Sequence, residues 1–282
     1  MRSGRRPTAF RLAAFVAMAA LGGAASASCV GTTGGALVTF PAAAAGIAGT
    51  NANGALEFTS DRGWDVALTT ATLHVGAVYL DQSQPVSGSQ GTTCILPGTY
   101  VGQVTPALTP AAGLDVDLLS ATPQPFSVQG QGTTLPEALV GQLWLAGGDV
   151  NTVDDSTPIL VLAGTASSNG TVMPFSATIT IGSNRSTSDP SGAAGGDPIC
   201  KERIVSAPAG IYVQSSGGLL LTIDPRQLFL NVDFSQLTMG PNGTYAFSDD
   251  PTSSDYTQPS RNLYQNLHSA GSLYTFSWSS SL

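Results

Sequence analysis

Apolar and polar residues alternate with period two along most of this chain, and Gly, Pro, Asn and Asp punctuate the alternating runs. That pattern predicts short half-buried strands joined by tight turns. The strands expected are 35–40, 55–59, 64–69, 71–80, 98–104, 139–145, 159–165, 172–181, 219–223, 231–234 and 273–278. Val, Ile, Thr and aromatic residues dominate them, as suits a pleated surface. The run 71–80 would place Leu73, Val75, Ala77 and Tyr79 on one face and His74 on the other. Two short helical turns are expected. Asp224-Pro225 supplies an N-cap and a first-turn proline for 226–230. Leu263, Tyr264 and Leu267 recur at helical spacing within 261–268.

Many short strands with frequent turns and no long amphipathic helix predict an all-β fold: a single β-sandwich of two packed, mostly antiparallel sheets with one or two helical turns. An outer-membrane barrel is the rival, suggested by the closing Tyr274-x-Phe276-x-Trp278 alternation. Pro174 within a strand and an aromatic content of 7% favour the sandwich. Segment 184–198, rich in Ser, Gly, Asp and Pro, reads as a mobile loop inside one domain spanning 29–282.

Residues 1–28 read as a secretory signal. Arg2, Arg5, Arg6 and Arg11 precede an apolar stretch, and Ala25-Ser26-Ala27 fits the small-residue cleavage rule. No later run approaches a spanning length. The expected location is therefore outside the cytoplasm: periplasm, outer membrane by lipid anchor, or extracellular. Cys29 stands at the cleavage junction and is a candidate acylation site, with a plain N-terminal thiol as the alternative. Cys94 and Cys200 then pair as a disulfide, each beside a turn-and-strand boundary. Closing a loop of roughly 100 residues is worth about 4–5 kcal/mol in the chain-entropy model.

Charge changes the picture further. Only 10% of residues are charged, against roughly 25% in an average soluble domain. Beyond the first dozen residues six bases face eighteen acids, which excludes a nucleic-acid partner. Lys occurs once, at Lys201, and His twice, at His74 and His268. General acid–base and Schiff-base chemistry therefore have few actors, and Gly88-Ser89-Gln90-Gly91 lacks the nucleophile-elbow spacing. No catalytic residue is assigned.

Candidate sites remain. Asp115 and Asp117 share a strand face, as a glycosidase carboxylate pair or as the wet face of an edge strand. Asp149, Asn151, Asp154 and Asp155 present oxygens at loop spacing suited to calcium, and Asp249, Asp250 and Asp255 form a similar cluster. For each, a plain turn is the preferred reading, because Asp and Asn favour turns for their own backbone hydrogen bonds. His74 and His268 are candidate copper ligands, with Met173 and Met239 as thioethers.

Leu37 to Gly46, a spacer, and then Trp64 to Leu80, with Gly98-Thr99-Tyr100 beyond, resemble the MbnP-like, methanobactin-associated periplasmic copper proteins. The resemblance implies export and a β architecture. Phe40 to Gly46 contains no histidine, where that family supplies a copper ligand. The Val232–Ser235 segment and the Phe276-x-Trp278 strand also resemble exported bacterial envelope proteins. The leading expectation is an exported, non-enzymatic envelope protein, a binding or structural module with an unassigned protein or glycan partner. The alternatives are a periplasmic copper- or calcium-binding protein and a carbohydrate-active protein; no cofactor is assigned.

Overall fold

The computed structural model describes residues 34–83, 99–105, 112–145, 155–181, 204–250, 253–269 and 271–282. The signal segment 1–28, Cys29, Cys94, Cys200, Asp149, Asn151, Asp154 and the loop 184–198 lie outside the described residues, and of Asp155 only the strand backbone is described. In chain order the strands are β1 (Leu37–Phe40), β2 (Ala42–Ala45), β3 (Leu56–Thr59), β4 (Asp65–Val75), β5 (Ala77–Asp81) and β6 (Tyr100–Val104). Then come β7 (Leu114–Asp117), β8 (Gln124–Pro125), β9 (Gly130–Thr133), β10 (Ala138–Trp144) and β11 (Asp155–Ser168). The remainder are β12 (Thr171–Ile181), β13 (Ile204–Ile211), β14 (Gly218–Ile223), β15 (Tyr245–Phe247) and β16 (Tyr274–Ser279).

The fold is all-β, and its strands are dealt into three sheets rather than two. The first, β1-β9-β6-β5-β10-β13, is antiparallel throughout. The second runs β15-β12-β11-β4-β3, with β7 also on β4. The third is β16-β14-β2-β8. Parallel pairing is confined to β12 with β15 and β14 with β2. Among the described residues no helix is long and apolar enough to cross a membrane.

Gly76 explains how the first two sheets share one chain segment. The alternation of 71–80 predicts one strand, but the structure splits it into β4 in the second sheet and β5 in the first. Leu73 and Val75 point into the core before the glycine, and Val78 and Leu80 after it, so the inward parity flips from odd to even. Strands that turn a corner between stacked sheets change layer in this way. Tyr79 accordingly faces away from Leu73 and Val75, contrary to the expectation from strict alternation.

Between the sheets lies one contiguous apolar core. Its densest part is aromatic: Phe175, Phe229, Phe234 and Phe247 pack with ring centroids 5.1 to 6.5 Å apart, and Trp64 stands 5.6 Å from Phe234. The third sheet closes against the first at Gly141, where a Cβ would come 2.1 Å from the Phe276 ring.

The helical turns form where expected. Asp224 caps a 3-10 turn over Pro225–Phe229, accepting from the Arg226 N–H at 3.1 Å. Helix α1 (Gln258–Leu267) buries Leu263 and Leu267 at i, i+4 spacing. Segment 231–234, expected as a strand, is instead turn: Asn231 is left-handed (φ 57°), and Asp233 caps a 3-10 turn over Phe234–Gln236. Buried Val232 and Phe234 mimic strand alternation there.

Candidate functional site

His74 sits on β4 opposite Asp115 of β7, the one pairing among the predicted site residues that the described structure makes. Its Nδ1 lies 2.7 Å from Asp115 Oδ1. The imidazole is buried, whereas Asp115 is 74% exposed. Nε2 is also buried and has no hydrogen-bond partner. It is covered by Gly113, whose backbone is in a glycine-only conformation (φ 147°) and where a Cβ would lie 2.8 Å from Nε2. Asp117 shares the exposed face of β7 with Asp115, as the alternation predicts, but its Oδ1 accepts from the Leu119 N–H at 3.0 Å in a local turn.

The remaining predicted residues sit apart. His268 caps the C-terminus of α1, its Nδ1 2.8 Å from the Tyr264 carbonyl and its ring tilted against that of Tyr264, with centroids 4.3 Å apart. Asp249 fastens β12, accepting from the N–H and hydroxyl of Thr180. Met173 is core and Met239 is exposed. Among the described residues no three His, Cys, Asp or Glu side chains assemble as a metal-ligand set. An open groove of about 410 Å³ crosses β3, β4 and β11, but its carboxylates are engaged: Glu57 with Asn51 (2.6 Å) and Asp65 with Thr59 (2.8 Å).

A different group stands out on the first sheet. On β5, Val78 and Leu80 face the core, so Tyr79 and Asp81 face the other way. On β10, Leu143 faces the core, so Gln142 and Trp144 face the other way. Register brings the four together: Gln142 opposes Tyr79, Val140 opposes Asp81, and Trp144 opposes Ala77. Tyr100 joins from β6, opposite Asp81, where a register shift accommodates it. The Tyr79 ring lies 5.1 Å from Tyr100 and 5.0 Å from Trp144, so three aromatic rings span three adjacent strands.

Asp81 and Gln142 are 0% exposed. Yet Asp81 Oδ1 and Oδ2, Gln142 Oε1 and Nε2, and Trp144 Nε1 are all buried without a hydrogen-bond partner. Burial pushes the Asp81 carboxyl up to about 6, and the Gln142 amide beside it pulls the value part of the way back. Burial, the Asp81 charge and Tyr79 push the Tyr100 phenol up to about 12, and burial raises Tyr79 as well. Both phenols therefore stay neutral. The sequence pattern alone marks none of these residues as a site. The available signal was the pair of alternating doublets Tyr79-x-Asp81 and Gln142-x-Trp144, each placing a polar side chain inside an otherwise apolar strand.

No family model matches the chain, and no curated protein matches it. Among solved structures, MbnP from Methylosinus trichosporium is similar with a TM-score of 0.41 and 10% identity, over 86% of this chain and 98% of that one. At that identity no residue role is carried from one chain to the other.

Proposed function

We propose that this protein is an exported, non-enzymatic binding module of the cell envelope. Its binding group is the outward face of the first sheet, at Asp81, Gln142 and Trp144 between Tyr79 and Tyr100. One observation carries this: five buried polar atoms on three neighbouring side chains lack partners. Native proteins pair nearly all such atoms, so a cluster of unpaired ones calls for a bound partner. The arginine-led N-terminus with its Ala-x-Ala junction supports export. The scarcity of Lys and His across the whole sequence supports binding over turnover.

Native mass spectrometry of the full chain, isolated from cells without denaturation, tests the proposal. Wild type is expected to carry a low-mass species that is released on unfolding and is absent from Asp81→Asn/Gln142→Leu. Ligand-free wild type whose melting temperature no small molecule shifts would refute it. So would hydrolase turnover that disappears in His74→Ala.

A further inference from the structure

The unpaired atoms on the first sheet have a definite chemistry, and the following step rests on the binding face proposed above. Three of them are acceptors: Asp81 Oδ1, Asp81 Oδ2 and Gln142 Oε1. A primary ammonium carries three N–H donors and no acceptor. A desolvated carboxylate favours a positive charge beside it, and among the described residues no basic side chain stands beside Asp81. The rings of Tyr79, Tyr100 and Trp144, each about 5 Å from its neighbour, add aromatic faces of the kind that attract an ammonium.

A hard metal ion is a poorer match. Such ions take six or more oxygens, commonly from several carboxylates. Here one carboxylate and one amide oxygen are offered, and the other unpaired atoms, Gln142 Nε2 and Trp144 Nε1, are donors that a metal would repel. A neutral polyol would satisfy the donors and leave the carboxylate charge unbalanced. The two spare donors require an acceptor on the same ligand.

We infer that Asp81, Gln142 and Trp144 hold a small primary amine that also bears a hydrogen-bond acceptor, the chemistry shared by amino alcohols, amino acids and amino sugars. Asp81 and Gln142 Oε1 take the ammonium, and Gln142 Nε2 and Trp144 Nε1 take the acceptor.

Isothermal titration of the full chain in amine-free phosphate buffer tests this, with ethanolamine, glycine and glucosamine as probes. Methylammonium lacks the acceptor, and glucose and potassium chloride are the non-amine controls. At least one acceptor-bearing amine is expected to saturate at one site. Methylammonium should bind about tenfold more weakly, as befits a lost hydrogen-bond pair. Asp81→Asn should weaken binding by about a hundredfold, since it removes a buried charge partner. Trp144→Phe should cost about tenfold for the acceptor-bearing amine and leave methylammonium nearly unchanged. Far-UV circular dichroism confirms that each variant folds. Saturation by glucose or potassium alone, or equal amine binding in Asp81→Asn, would overturn the ammonium assignment and leave the binding face standing. Silence from every probe overturns the amine assignment; silence together with ligand-free protein in the native mass measurement removes both.

Discussion

Asp81→Asn in the ligand-free protein separates the charge of this side chain from its shape. The carboxyl rises from an ordinary 3.8 to about 6 because burial penalises its ionised form. In the unfolded chain the group loses its proton near 3.8, while in the folded chain it keeps it to about 6. Between those values the native state holds more protons than the unfolded state, so stability falls as pH rises through that window. Below about 3.8 the two states are equally protonated and the penalty vanishes; above about 6 it is complete. A displacement of about two pH units at 1.36 kcal/mol each amounts to about 3 kcal/mol. Asparagine has the same shape and no charge. Urea unfolding followed by circular dichroism should therefore show Asp81→Asn about 3 kcal/mol more stable than wild type near pH 8, and within about 0.5 kcal/mol of it near pH 4. A variant less stable than wild type at high pH, or a difference that does not change with pH, would refute the reasoning. Saturation with an amine ligand should shrink or reverse the gap, because the ligand binds only the charged native site.

Substitutions at four further positions probe the rest of the fold. Gly141→Ala drives a methyl to 2.1 Å from the Phe276 ring and should cost about 1–3 kcal/mol in chemical denaturation, with no loss if the third sheet does not seat there. Phe234→Ala empties the ring cluster it shares with Trp64, Phe175, Phe229 and Phe247 and should cost about 3–5 kcal/mol, read as a fall in melting temperature. Asp224→Ala removes both the cap and the 2.7 Å contact to Arg226, for about 1 kcal/mol, and Asp224→Asn should recover most of it in the same unfolding assay. Asp115→Ala leaves the His74 Nδ1 without its carboxylate, for about 1 kcal/mol by urea titration; unchanged stability would show that the contact contributes nothing to the fold.

Most strands were legible because period-two alternation is strong where one face meets the core, as in β12. Strand β2 was not. Its four alanines are all buried, and alanine has little intrinsic preference for strands. Only the parallel pairing with β14 and the antiparallel pairing with β8 define it, and both are long-range. The corner at Gly76 was written in the sequence as a lone glycine within an alternating run, a recognised mark of a bulge or bend. Alternation continues on both sides, so periodicity alone could not show that the inward parity flips. The turn at 231–234 deceived in the opposite sense, since Val232 and Phe234 are both core yet Asp233 caps a helical turn. The candidate site was hidden for a related reason. Asp81 and Gln142 lie 61 positions apart and meet only through the β5–β10 register. His74 and Asp115 were each singled out for separate roles, and their contact likewise depends on the β4–β7 register.

Magnitudes make the outward face of the first sheet hard to treat as passive structure. Leaving a buried polar group unpaired costs about 1–3 kcal/mol, so these three side chains together cost about 3–9 kcal/mol. That is a large share of the whole stability of an ordinary domain, about 5–15 kcal/mol. Apolar residues of similar volume at positions 81 and 142 would avoid most of the cost, and the strands around them already use such residues: Val78 and Leu80 on β5, Val140 and Leu143 on β10. A carboxylate, an amide and an indole N–H gathered by register onto one buried face therefore point to compensation from outside the chain. A ligand that donates to Asp81 and accepts from Trp144 supplies it, and couples occupancy of the site to the stability of the first sheet.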